Sequence, residues 1–367
     1  MVHPYIQRMA KTLIHYSLSI QKGDKLLIRG SELAAPLILE AYREAIKAGA
    51  HVSVVGSFEG LAEIFYKEAS DEQLEFIDPL HKLVYETYDA MLGILGAYNT
   101  RALSGIDPSR QAISARASAP LLKTMTDRSA ADELKWCATI FPTHASAQDA
   151  NMSLSEYEEF VYRACHVDEE DPVAKWKSMQ EQQDRIIDAI KGIDTLRIVG
   201  EDTDLTLRVK GRKWISAAGE RNFPDGEIFT GPIEDSANGH IRFSFPGIRS
   251  GKEIEDIRLT FQDGKVVESS AKVGEDLLKT LLNSDPGASY LGEIGIGTNY
   301  GINRFTRNIL FDEKIGGTIH LAVGSAYPET GGKNQSGVHW DMLCDLRRGG
   351  EIYGDGDLIY KDGKFVI

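Results

Sequence analysis

Six side chains in the second half of the sequence have types suited to binding divalent metal ions: Glu227, Glu293, Glu313, His320, His339 and Asp341. His339 and Asp341 stand two apart in SGVHWDML, with Trp340 between them. In an extended strand, residues i and i+2 face the same side, so the imidazole and the carboxylate converge while the indole points away. Convergent nitrogen and oxygen donors suit Zn²⁺, Co²⁺ or Mn²⁺, and Mg²⁺ is compatible with the carboxylates. His320 lies alone in the apolar run GGTIHLAVG, where a histidine satisfied within the core is the commoner outcome. Glu227 follows Pro224-Asp225-Gly226 and opens EIFTGP, Glu293 ends YLGE, and Glu313 closes ILFDE, where an apolar strand is expected to give way to a loop. Each carboxylate thus falls at an expected element boundary beside glycine or apolar residues. A carboxylate desolvated there needs a partner or a metal. Spacing alone leaves ordinary surface charge and metal ligation as even readings.

Such a set of donors could hold two ions about 3.5–4 Å apart, as in two-metal hydrolases. The ions would lower the pKa of a bridging water and polarise a scissile carbonyl, and a carboxylate left free of metal would serve as general base. Other chemistries lack an anchor. GIGTNYG (295–301) has no following GK[ST] and no strand–turn–helix context, so it is not a phosphate loop. No GxSxG elbow occurs, which removes the usual serine-hydrolase signature.

The elements that must position these groups follow from composition and periodicity. The chain has 367 residues, 42% hydrophobic and 26% charged, enough for two domains with real cores. A formal charge of −14 repels phosphate backbones and argues against nucleic-acid binding. No apolar run reaches the roughly 18 residues of a membrane span, and the N-terminus is too polar for a secretory signal. Cys137, Cys165 and Cys344 form no CxxC pair and are expected to be buried thiols, which suits a reducing compartment and a cytoplasmic location.

The first half alternates helical and strand-like segments. A helix over 4–20 precedes the strand KLLIRG, and a helix over 31–50, with Ser31 as its N-cap, precedes HVSVVGS. MLGILGA, a helix over 108–127 and WCATIFP repeat the pattern, which predicts an α/β domain with a parallel sheet. Helices over 153–164 and 172–192 follow, the second leading into the next domain. Beyond about 195, segments such as TLRIVG, DLTLRVK, DIRLTFQDGKVVES and TIHLAVG are strand-like, with turns at Asp225-Gly226 and Asp263-Gly264. Helical signal there is confined to 273–283. The expectation is an α/β domain over 1–192 and a mainly antiparallel β (α+β) catalytic domain over 193–367.

The ordered segments NFPDGEIFTGP, YLGE, FDEKIGGTIHLAVGSAY and NQSGVHWDM resemble the successive signatures of the aminopeptidase T/aminopeptidase S family. GDKLLIRG, EDTDL (201–205) and DPVAKW (171–176) extend the likeness over nearly the whole chain. The resemblance implies a metal-dependent aminopeptidase that removes the N-terminal residue from short peptides. It implies two divalent ions held by Glu227, Glu293, Glu313, His320, His339 and Asp341, and a homodimer that restricts entry to short peptides. It also places Tyr327 beside the metals, where a phenol could donate to a developing oxyanion. The stretch KIGGTI before His320 is longer than in the best-known members, and the connection from His320 to His339 is shorter. The alternatives are a dipeptidase or amidohydrolase using the same metals, and a non-catalytic, metal-stabilised binding protein.

Overall fold

The apolar runs of the first half pair side by side as a parallel sheet. The structure, a computed structural model, describes residues 3–249 and 251–367. Its chain falls into two compact units, one running to Ala174 and including Gly219–Pro224, the other formed by Lys175–Ala218 and Asp225–Ile367. In the first unit the strand order is His51–Ser57, Lys25–Ser31, Ala90–Leu95, Lys135–Ile140 and Asn222–Phe223, every pair parallel. Leu26, Leu27, Ile28, Met91 and Leu92 are buried, as strands between helical layers require. Helices Pro4–Thr12, Ala35–Ala48, Pro108–Ala130 and Leu154–Ala164 occupy most of the expected positions. Ser31 does not cap the helix that follows it. Its hydroxyl donates to the Gly96 carbonyl at 2.6 Å, tying two loops at the sheet's carboxyl end instead.

Helix Pro172–Ile190 was expected with the first half, but from Lys175 onward it belongs to the second unit. Ile186, Ile187 and Ile190 pack on that unit's core, so apolar contact rather than sequence order decides its allegiance.

Antiparallel pairing dominates the second unit. One sheet has eight strands in the order Lys265–Ser270, Ile257–Gln262, Asn238–Phe243, Thr203–Arg208, Thr195–Gly200, Glu351–Gly354, Asp357–Lys361 and Lys364–Phe365. The expected Asp263-Gly264 turn joins the first two of these, both residues at positive φ. A second sheet has the order His339–Asp345, Thr318–Gly324, Leu291–Gly297, Glu227–Thr230 and Ile215–Ala217. Inward residues of both sheets share one core: Leu196, Ile198, Leu205 and Phe243 meet Ile294, Ile296, Leu321 and Trp340. Because side chains alternate along a strand, the intervening residues of the second sheet must point to its opposite face. Those residues are Glu227, Glu293, Gly295, His320, His339 and Asp341.

Candidate metal centre

Register places the polar residues of this outer face together. Gly295 pairs with His320, Gly297 with Glu227, and Ala322 lies between Glu293 and Asp341. Four adjacent strands thereby direct carboxylates and imidazoles into one buried region. Glu227, Glu293 and His320 are buried, while His339 and Asp341 are half-buried at its edge.

Gly295 makes this packing possible. A Cβ there would lie 2.1 Å from both Cε1 and Nε2 of His320, so the imidazole occupies the volume that any side chain at 295 would need. The ring's Nε2 consequently reaches 3.2 Å from Glu227 Oε2 and 3.6 Å from Glu293 Oε1. Its Nδ1 meets no hydrogen-bond partner among the described residues. His339 is oriented differently. Its Nδ1 donates to the Ser325 carbonyl at 2.8 Å, leaving Nε2 to face Glu293 Oε2 at 3.3 Å and Asp341 Oδ2 at 3.4 Å. Such a carbonyl contact fixes tautomer and ring orientation in the way metal-binding histidines require.

Two sequence expectations are corrected here. Glu293 is not at a boundary: its strand begins at Leu291, so the carboxylate sits inside a wholly buried strand, next to a bulge. Glu313 does not close a strand. Ile309–Asp312 is a short helix whose N-cap, Asn308, accepts from the Leu310 amide at 3.1 Å, and Glu313 is its C-cap. His320, for which a satisfied core histidine was the commoner outcome, is buried but faces two carboxylates.

Electrostatics follow from this crowding. Burial disfavours the charged ring of His339, but hydrogen bonds to Asp341 and Glu293, with their charges, outweigh it and hold its pKa at about 11. His320 moves in the same direction: burial opposes the proton, and Glu227 and Glu293 overcome it. Glu293 and Asp341 are held below the usual carboxylate range despite burial, Glu293 by both imidazoles and Asp341 chiefly by His339. The cluster is thus a set of carboxylates that draws positive charge to itself.

The donor set fits a divalent cation. Ligand atoms of Glu227, Glu293 and His320 lie within 4.8 Å of one another, as do those of Glu293, His339 and Asp341 and those of Glu313, His320 and Asp341. Among the described residues, Glu227 Oε2 is buried with no hydrogen bond and only His320 Nε2 close to it, at 3.2 Å, an acceptor of the kind a cation would satisfy. Tyr327 stands at the rim, its ring 5.0 Å from that of His339 and 5.7 Å from that of Phe229, and 43% exposed. Its packing and the charges of Glu293, Asp341 and Glu227 push the phenol well above its ordinary value, so it remains a proton donor.

Sequence reasoning missed Lys314, Asp312 and Arg249. Lys314 is fully buried, and its ammonium pairs with Glu227 Oε1 at 3.1 Å and with Glu313. The lone lysine after FDE in an otherwise apolar stretch was the available signal. Asp312 belongs to none of the three donor trios. Burial pushes its carboxyl up to about 7 against hydrogen bonds from the amide and hydroxyl of Thr306, which pin the loop before the short helix. Arg249 donates to the His339 carbonyl at 3.2 Å and, with Phe305, Ile309, Asp312 and Asp341, lines a cleft of about 130 Å³.

The antiparallel sheet brings three carboxylates and two imidazoles to one face, Glu313 joins them from the end of the short helix, and overlapping trios of these groups lie within ligand distance, an arrangement suited to a divalent-metal hydrolase. The chain belongs to the thermophilic metalloprotease (M29) family, whose model matches residues 3–365. It is accordingly a metal-dependent peptide-bond hydrolase, as its motif order implied. Aminopeptidase 2 of Geobacillus stearothermophilus is 30% identical, the match covering 98% of this chain and 95% of that protein. Among solved structures, wild-type AmpT from Thermus thermophilus aligns with a TM-score of 0.87 at 24% identity over 99% of both chains. A 2,5-dihydroxypyridine dioxygenase from Pseudomonas putida KT2440 aligns at 0.61 with 14% identity, covering 100% of this chain and 98% of that one. These two structural likenesses establish the fold alone. No helix among the described residues is long and apolar enough to cross a membrane.

Proposed function

We propose that this protein is an aminopeptidase that removes the N-terminal residue from short, unblocked peptides, using two divalent ions held by Glu227, Glu293, Glu313, His320, His339 and Asp341. The observation that carries the reading is the convergence of three overlapping donor trios, Glu293 shared by two of them, on one face of the sheet and the adjoining end of the short helix. Bound ions would supply Lewis acidity and an activated water. The chain's own groups do the rest. The Ser325 carbonyl holds His339 in the tautomer that offers Nε2. The excess of carboxylate attracts the substrate's α-ammonium. Tyr327, exposed at the rim and protonated, can donate to the carbonyl oxygen of the scissile bond as negative charge grows there. Cysteines 137, 165 and 344, all buried and none in a disulfide, favour the cytoplasm as the working compartment. A homodimer is carried over from the family resemblance.

The test is leucine release from a short unblocked peptide by EDTA-treated protein, before and after adding Zn²⁺, Co²⁺, Mn²⁺ or Mg²⁺ singly. Chelation is expected to abolish turnover and one ion to restore it, with N-acetylated peptide left intact. Equal turnover of the blocked peptide would move the reading to an amidohydrolase. Metal binding with no turnover under any ion would make this a binding protein. Tyr327→Phe is expected to lower kcat about 10–100-fold with metal content unchanged, the range for losing one oxyanion donor being at or above this. An unaltered kcat would remove Tyr327 from the mechanism.

A further inference from the structure

Lys314 is an observation the two-ion reading does not absorb. A lysine is almost never fully buried unless paired, and this one is paired with two of the six proposed ligands. Its backbone is fixed as well: the Lys314 amide donates to the Phe311 carbonyl at 3.0 Å, and its carbonyl accepts from the Asn299 amide at 3.1 Å. The side chain itself is fully enclosed. An ion approaching Glu227 and Glu313 meets a positive charge already seated on their oxygens. The trio Glu293, His339 and Asp341 shares neither of those carboxylates, and its half-buried His339 and Asp341 open toward the Arg249 cleft.

We infer that the Lys314 ammonium is a resident cation of the site, so that the Glu293–His339–Asp341 position binds its divalent ion tightly and the Glu227–Glu313 side is the weak position. The inference rests on the metal-site reading and deepens it. Charge supports the asymmetry. Glu227, Glu293, Glu313 and Asp341 carry four negative charges, Lys314 offsets one, and a single divalent ion offsets two more. A second ion brings like charge against the ammonium in a buried region, where screening is weak. Both cations cannot keep the same carboxylate oxygens.

The experiment is a metal count on the full chain after loading with excess Zn²⁺ and gel filtration, read by plasma mass spectrometry, with calorimetric titration for affinities. Wild type is expected to retain one ion per chain, the second binding at least tenfold more weakly. Lys314→Met, close in length and uncharged, is expected to retain two. Glu313→Gln in the wild-type background is expected to leave the retained count at one, and Glu293→Gln to bring it to zero. Two ions of equal affinity in wild type would overturn the inference and leave the metal-site reading standing, as would a folded Lys314→Met chain with the wild-type count. If Lys314→Met does not fold, loss of the retained ion in Glu313→Gln would still overturn it. Absence of any bound ion in wild type would sink both readings.

Discussion

Replacing His339 by Ala is expected to lower kcat/KM on an unblocked leucyl peptide by about 10³-fold and to remove the retained metal ion. The magnitude follows from a metal's contribution of several kcal/mol to charge stabilisation in the transition state, at 1.36 kcal/mol per tenfold. The fold should survive. His339 keeps 27% of its side chain exposed, and the core contacts of its strand are made by Trp340, Met342 and Cys344, which are untouched. Peptide turnover, metal content and circular dichroism together check the prediction. A folded variant with full activity and full metal content would show that the site lies elsewhere.

Gly295→Ala, a change of one methyl group, should be nearly as damaging. The added carbon would sit 2.1 Å from two atoms of the His320 ring and 2.9 Å from a third. His320 is 1% exposed, so the ring cannot simply step aside. Either the Leu291–Gly297 and Thr318–Gly324 strands part, or the imidazole swings away from Glu227 and Glu293. Overpacking of this kind costs about 1–3 kcal/mol, which for a unit of this size lowers Tm by on the order of 5 °C. Displacing a ligand adds a loss of roughly 10–100-fold in metal affinity, by analogy with outer partners of metal ligands. Gly56→Ala is the control, because a Cβ there would meet nothing within 4 Å. If Gly295→Ala matched that control in both Tm and metal affinity, the packing of His320 described above would be wrong.

Local periodicity made much of the architecture legible. Continuous apolar runs such as KLLIRG became buried parallel strands because both faces are covered. Asp263-Gly264 became a hairpin turn because an Asp-Gly pair tolerates positive φ at both central positions. The His339–Trp340–Asp341 alternation is likewise local: whichever sheet the strand joined, its imidazole and carboxylate would share a face and its indole the other. The errors are also physical. ILFDE is apolar enough for a strand, but Asn308 caps a short helix there. Ser31 has the type of an N-cap, and a nearby carbonyl competed successfully for its hydroxyl.

What the sequence by itself determined, then, is the donor inventory, the pairing of His339 with Asp341, and the change from α/β to antiparallel texture. Only the tertiary structure decided that Glu227, Glu293 and His320 meet, because their meeting depends on strand order and register. A slip of one residue in any of those strands would turn its polar residue into the shared core. Tertiary structure also decided that Gly295 is the floor beneath an imidazole and that Lys314 points inward among carboxylates. Neither fact has a local signature, since a glycine's missing side chain and a lysine's burial acquire meaning only from what long-range packing places against them.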